Sequence, residues 1–329
     1  MIRLNIDLPP VIGYLHHAYL LSVAREHPDF KEWFNTNYIQ MKYYPQRYWL
    51  NFHRLDLYGG AFDYCPLLDL QMVKNEFLRI NGIDIVELAV KYIEQGYYIW
   101  LYIDEFYDRN RRAYNTRHFI HENLLHGFDP DTRCFYSSGF DQNQKYTFSE
   151  TRYQDLSDSF NHAPDNLHLK ILKPNSNAVF KLELENIKNT LSDYLNSCNT
   201  SKRSIMYNNP TSDCVYGLEI YKHLKTYFEA LLNEKTYYDI RILHILWEHK
   251  RCMTARIAYL HETKHLTRHG PILNSSIEIE NKVLMLRNLQ MKYEKNRNRE
   301  HIEKIIRSLE EISIQEAHTI NELLANIVE

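Results

Sequence analysis

Three residues of this 329-residue chain have the types and the order that nucleophilic acyl chemistry uses: Cys65, then His121, then Asp141. In such chemistry a thiolate attacks a carbonyl, an imidazole takes and returns the proton, and a carboxylate fixes the imidazole's tautomer. Cys65 stands in Asp63-Tyr64-Cys65-Pro66, ahead of Leu67, Leu70, Val73, Phe77 and Leu78, which are spaced as on one helical face. The pattern predicts a thiol at a helix N-terminus, where unpaired N–H groups favour the thiolate. His118 to Phe128 and Arg133 to Phe140 read as two strands joined by the turn residues Asp129-Pro130-Asp131-Thr132. With the turn centred near Pro130 and Asp131, residue numbers across the hairpin sum to about 260, which sets His121 opposite Gly139, close to Asp141. Asp129 lies along the same strand as His121, on the order of 26 Å away, so Asp141 is the expected partner.

The elements that must position these residues follow from periodicity. His16 to Arg25 reads as a helix, Tyr97 to Ile103 as a strand buried on both faces, and Asp84 to Glu94 as a helix ending at Gly96. Tyr146 to Phe148 reads as a short strand, Ser149 to Phe160 as a helix, Leu167 to Phe180 as extended, and Leu182 to Leu195 as a helix. Cys198 to Asp213 is a polar, turn-rich stretch. Beyond it, Leu218, Tyr221, Leu224, Phe228 and Leu231 form one helical stripe, Leu243, Leu246, Met253, Ile257 and Leu260 a second, and Ile302, Ile305, Leu309 and Ile312 a third. Gly270-Pro271 separates two long helices. The expected architecture is α+β: a sheet-containing domain over 1–197, a boundary loop over 198–214, and a bundle of about four helices over 215–329.

A formal net charge of −3 with interspersed signs offers no broad basic field, so neither nucleic acid nor a membrane surface is an expected partner. The five cysteines are odd in number and contain no CxxC pair, which argues against a disulfide framework and a zinc knuckle and suits a reducing cytoplasm. No secretory signal and no membrane span is read from the sequence. His261, His265 and His269 recur at helical spacing that can bind a metal, although Gly270-Pro271 frays the last turn, and no metal or other cofactor is expected.

The stretch "GYYIWLYIDEFY" followed by "HFIHENLLHGFDPDTRCFYSSGF", with the helical segments "ILHILWEHKRCMTARIAYL" and "VLMLRNLQMKYE", resembles a family of natural-product gene clusters. Its members are the papain-like proteins related to bacteriocin-leader peptidases, among them the butirosin-type acyltransferases and the amide-forming enzyme type of closthioamide assembly. The resemblance implies a papain-like domain followed by a helical one. It also implies transfer of an acyl chain from an acyl or peptidyl carrier-protein thioester, through a cysteine acyl-enzyme, to an amine acceptor. On that pattern Cys65 is the nucleophile, His121 the base and then acid, and Asp141 the orienting carboxylate, with His17, Tyr64 and Tyr136 near the substrate. The sequence departs from the family where the nucleophile can lie on the first helix, because Leu15-His16-His17-Ala18-Tyr19 has no cysteine. A nucleophile-less accessory protein that binds a carrier or peptide is therefore the second reading, and a cysteine peptidase the third.

Overall fold

The computed structural model describes residues 1–53, 65–203 and 213–328. In chain order its elements are β1 (Ile2–Arg3), α1 (Leu15–Ala24), α2 (Phe30–Asn37), β2 (Met41–Tyr44), β3 (Trp49–Phe52), β4 (Leu68–Lys74), α3 (Asn75–Ile80), α4 (Ile85–Ile93), β5 (Tyr98–Asp104) and β6 (Ile120–Asp129). They continue as β7 (Cys134–Phe140), β8 (Tyr146–Arg152), α5 (Tyr153–Asn161), β9 (His168–Pro174), α6 (Leu184–Leu195), β10 (Val215–Tyr216), α7 (Ile220–Leu232), α8 (Arg241–Glu262), α9 (Gly270–Asn296) and α10 (Arg299–Asn326). The fold is mixed α+β with an antiparallel sheet and a helical C-terminal region. No helix among the described residues is long and apolar enough to cross a membrane.

The chain divides into two compact units, Met1–Phe30 with Asp63–Phe180, and Lys31–Phe62 with Lys181–Glu329. The boundary expected over 198–214 thus falls inside the second unit. One reason is that β10 pairs with β2 across the long separation Tyr216 to Lys42, tying the early hairpin β2–β3 to the helical region. Of the expected loop, 204–212 lies outside the described residues. Its earlier part is tied down, with Arg203 ion-paired to Asp193 at 2.6 Å and Ser201 bonded to His53 at 2.9 Å.

The first unit is built on a sheet of order β4-β9-β5-β6-β7-β8, with β1 added beside β6. Ile99, Leu101, Ile103, Leu125, Phe135, Leu169 and Ile171 fill one face with Leu78, Ile85, Ala89, Leu156 and Phe160 from α3, α4 and α5. The Asp84 carboxylate caps α4 by accepting from the N–H groups of Val86 and Glu87. The intervening residue Trp100 leaves the other face, where the Tyr19 ring of α1 meets it edge-on at 5.7 Å.

Two expected helices begin as strands. Leu68–Lys74 pairs along its whole length with β9, and helix starts only at Asn75. Likewise Tyr146–Arg152 pairs throughout with β7 before α5 begins at Tyr153. In both, apolar residues fit a helical and an alternating pattern at once, and the available neighbouring strand decides the outcome.

In the second unit, α8 carries buried polar side chains that finish α2. Arg256 donates to the carbonyls of Asn35 and Tyr38, each at 2.7 Å, and His249 Nε2–H donates to that of Ile39 at 2.7 Å. These are the trailing carbonyls that a helix C-terminus leaves without partners. The apolar stripes are buried on α7, α8 and α10 as their spacing requires, except that Leu218 falls in the short turn ahead of α7 and is half-buried.

Burial also holds histidines neutral: it lowers the pKa of His53 to about 3 and that of His126 to about 4, and with the Lys250 charge beside it holds that of His249 well below its ordinary value. A histidine whose folded pKa is depressed binds more protons unfolded, so its contribution is complete above the unfolded value and is lost as pH falls towards the folded one. Chemical denaturation at pH 5 is therefore expected to show each unit about 2 kcal/mol less stable per buried histidine than at pH 7. Equal midpoints at the two pH values would contradict this.

Candidate active site

The end of β5 and the start of β6 bring two carboxylates to two imidazoles. The ladder sets Ile103 opposite His121 and Asp104 opposite Ile120, and the Glu105 N–H continues it to the Phe119 carbonyl at 2.9 Å. Since His121 is directly across from Ile103, it leaves the sheet on the face covered by α4 and α5. There its Nδ1 lies 2.8 Å from Oε1 of the buried Glu105. A carboxylate only accepts, so Nδ1 carries a proton, and in the neutral imidazole the lone pair is then on Nε2. Among the described residues Nε2 has no hydrogen bond, and the side chain keeps 30% of its exposure, enough to be reached.

Asp104 makes the second pair, with His118 Nδ1 at 2.6 Å from Oδ2. Its Oδ1 accepts from the N–H groups of Phe106 and Phe119. Burial works to raise the Asp104 pKa, but the bonds from His118, Phe106 and Phe119 outweigh it and hold the carboxyl below its ordinary value. The His118 ring stacks on Phe106 at 4.6 Å and is largely exposed.

Asp141 does not serve His121. Its Oδ1 accepts from the N–H groups of Asn143 and Lys145, at 2.8 and 2.9 Å, capping the β7–β8 turn. The expected register is off from the first rung: Asp129 pairs with Cys134 and, past a bulge between Leu125 and Gly127, Leu124 with Ser138, so numbers across the hairpin sum to 263 and then 262 rather than 260, and the pairing stops at that rung. Beyond that rung the strands part, and two side chains fill the split. From the α1 face, Tyr19 donates to the carbonyls of Glu122 and Ser138 at 3.1 and 2.9 Å; burial raises its pKa well above the ordinary value, so the hydroxyl stays protonated. From the other face, Arg111 donates to the Phe140 carbonyl and to Asn123 Oδ1, each at 3.0 Å, and pairs with buried Asp108 at 3.3 Å. Gly139 makes room for it, since a Cβ there would stand 2.5 Å from Arg111 Nη1.

Cys65 is at the far end of the sheet. It is buried in the turn that enters β4, its carbonyl accepting from the Leu68 N–H, so no helix begins there to activate the thiol. Leu68 pairs with Pro174, whereas the His121 rung lies past Trp100 opposite Lys170, beyond the His168 end of β9. The offset is about 20 Å along the strands, with β9 and β5 also between β4 and β6. Replacing Cys65 with Ala is accordingly expected to leave any turnover that depends on His121 within about twofold of wild type, far below the 10²-fold or greater effect of losing a general base. A larger loss in a rate assay would contradict this placement.

Of the three residues expected near substrate, His17 is buried on α1, whose Tyr19 packs on the face opposite His121. Tyr136 pairs with Gly127, roughly 20 Å along β6 from His121, and its hydroxyl reaches Met1 Sδ at 3.0 Å. Tyr64 lies outside the described residues. Glu105 and His118 were not expected. The signal for them is the acidic pair Asp104-Glu105 closing an apolar strand, with the next strand opening His118-x-x-His121.

Among the described residues no group of three or more His, Cys, Asp or Glu side chains is placed to hold a metal ion. The rings of His261 and His269 lie face to face at 3.8 Å and 8°, an arrangement in which their in-plane lone pairs do not converge. His265 Nδ1 is 3.3 Å from the Val328 carbonyl. No family model matches the chain, and a search of curated proteins finds no match.

Proposed function

We propose that the chain is an acid–base acyltransferase that moves an acyl group from a thioester to an amine without a cysteine acyl-enzyme. The observation that carries this reading is the His121–Glu105 pair, an imidazole oriented through Nδ1 with Nε2 left for a substrate. In the step, the amine nitrogen bonds to the thioester carbonyl carbon while His121 Nε2 takes its proton. The C–S bond then breaks, and the thiolate recovers that proton from the imidazolium, giving an amide and a free thiol. The donor is a carrier-protein thioester and the sheet unit a papain-like scaffold, as the resemblance implies. Amide product from an acyl thioester and an amine, lost on replacing His121 with Gln, would support the reading; equal turnover by the variant would overturn it.

The remoteness of Cys65 and the cysteine-free α1 favour one other reading, a non-catalytic accessory protein that binds a carrier or peptide on the same scaffold. Carrier binding with no turnover of any amine would select it.

A further inference from the structure

We propose that β4 is the seam of a two-fold homodimer, pairing antiparallel with β4 of a second copy about Gln71. The strand stands at one end of the sheet order and pairs on its inner side with β9 without interruption, from Leu68 opposite Pro174 to Lys74 opposite His168. The odd residues bond β9, so its outer side presents the N–H and C=O groups of Leu70, Met72 and Lys74 and the Leu68 carbonyl, the Leu68 N–H being held by the Cys65 carbonyl. Edges of that kind are normally shortened, bulged, charged at the centre or interrupted by proline, because they template pairing with another chain. This one has no proline and no bulge, and its two charges, Asp69 and Lys74, stand towards its ends: Leu70-Gln71-Met72-Val73 is uncharged, Met72 is 48% exposed, and α3 continues it with Phe77 and Ile80 at 55% and 76%. The other edge, β8, is guarded. Asn110 Nδ2 donates to the Glu150 carbonyl at 2.8 Å, and Glu150 and Arg152 lie exposed on the strand.

The occupant follows from the strand's own sequence. A two-fold axis normal to the sheet keeps each face continuous, so residues directly opposite must share a face. Centring on Gln71 uses the full length of both strands. It sets Leu70 against Met72 twice, Gln71 against Gln71, Asp69 against Val73 and Leu68 against Lys74. No like charges meet, and the two Leu70–Met72 contacts form an apolar cluster across the axis.

Sedimentation of the full chain tests this through the one residue that would face its own copy. Gln71→Lys and Gln71→Glu each place like charges opposite, so each variant alone is expected to raise the dimer dissociation constant at least about tenfold, and an equimolar mixture to restore it to within about threefold of wild type as a heterodimer. Gln71 is exposed, and circular dichroism checks that the variants fold. A wild-type chain still monomeric at about 100 µM would overturn the proposal, as would a dimer indifferent to both charges. A monomer whose β4 amides gain exchange protection only when an extended peptide is added would overturn it in favour of strand addition by a peptide.

Discussion

Replacing His121 with Ala is expected to lower the rate of thioester aminolysis by about 10²- to 10⁴-fold, the range that a positioned general base contributes. Folding should be little affected, since the ring is partly exposed and its bonded nitrogen meets a single partner. The sharper variant is Glu105→Gln. The amide keeps the shape of the carboxylate but can turn its NH₂ towards the ring, which favours protonation of Nε2, the nitrogen needed as the base. A loss of at least about 10²-fold is therefore expected from Glu105→Gln, mainly in kcat, with KM nearly unchanged because Glu105 is buried behind His121. Asp141→Asn, which touches only the β7–β8 turn, should stay within about threefold of wild type. Steady-state kinetics on the three variants checks the ranking, and a greater loss from Asp141→Asn than from Glu105→Gln would reverse the assignment.

The second large effect concerns stability. In the helical unit, Lys250 Nζ donates to Glu316 Oε1 at 2.6 Å, Tyr194 Oη at 3.0 Å and His249 Nδ1 at 3.1 Å, while Tyr221 donates to Glu316 Oε2 at 2.6 Å. All five side chains are buried. Burial lowers the Lys250 pKa, against which the Glu316 carboxylate works to keep the ammonium charged. Lys250→Met should remove about 3–5 kcal/mol, because Glu316 would be left as an uncompensated buried charge and His249 Nδ1 without its donor. Adding Glu316→Gln removes that charge yet keeps an acceptor for Tyr221, so the double variant should be more stable than Lys250→Met alone by at least about 1 kcal/mol. Denaturation midpoints for the four proteins of this cycle test the point, and additive losses would contradict it.

Much of the fold is legible residue by residue. Asp84 announces α4 by its capping carboxylate, the run before Asp104 announces a buried central strand, and the apolar stripes announce α7, α8 and α10. The rest depends on partners distant in sequence. Whether Leu68–Lys74 is strand or helix is decided by β9, about a hundred residues on. Whether His121 meets Asp141 or Glu105 is decided by where the β6–β7 ladder stops, and Tyr19 and Arg111 reach that point from outside the hairpin. The turn residues locate the hairpin's turn but neither its register, which the ladder sets at sums of 263 and 262 rather than 260, nor how far along the strands the pairing persists. Cys65 was the expected nucleophile because its local pattern was helical; the strand that forms there instead carries it away from His121.

The central claim is that the His121–Glu105 pair works without a covalent cysteine intermediate, and quenched-flow intact-mass spectrometry during the first turnover addresses it directly. With acyl thioester and amine present, amide should appear while the protein mass stays unchanged at every time point, and both the amide and its rate should vanish in the His121→Gln protein. A transient acyl adduct on a cysteine, formed and consumed at the rate of product release, would contradict the account.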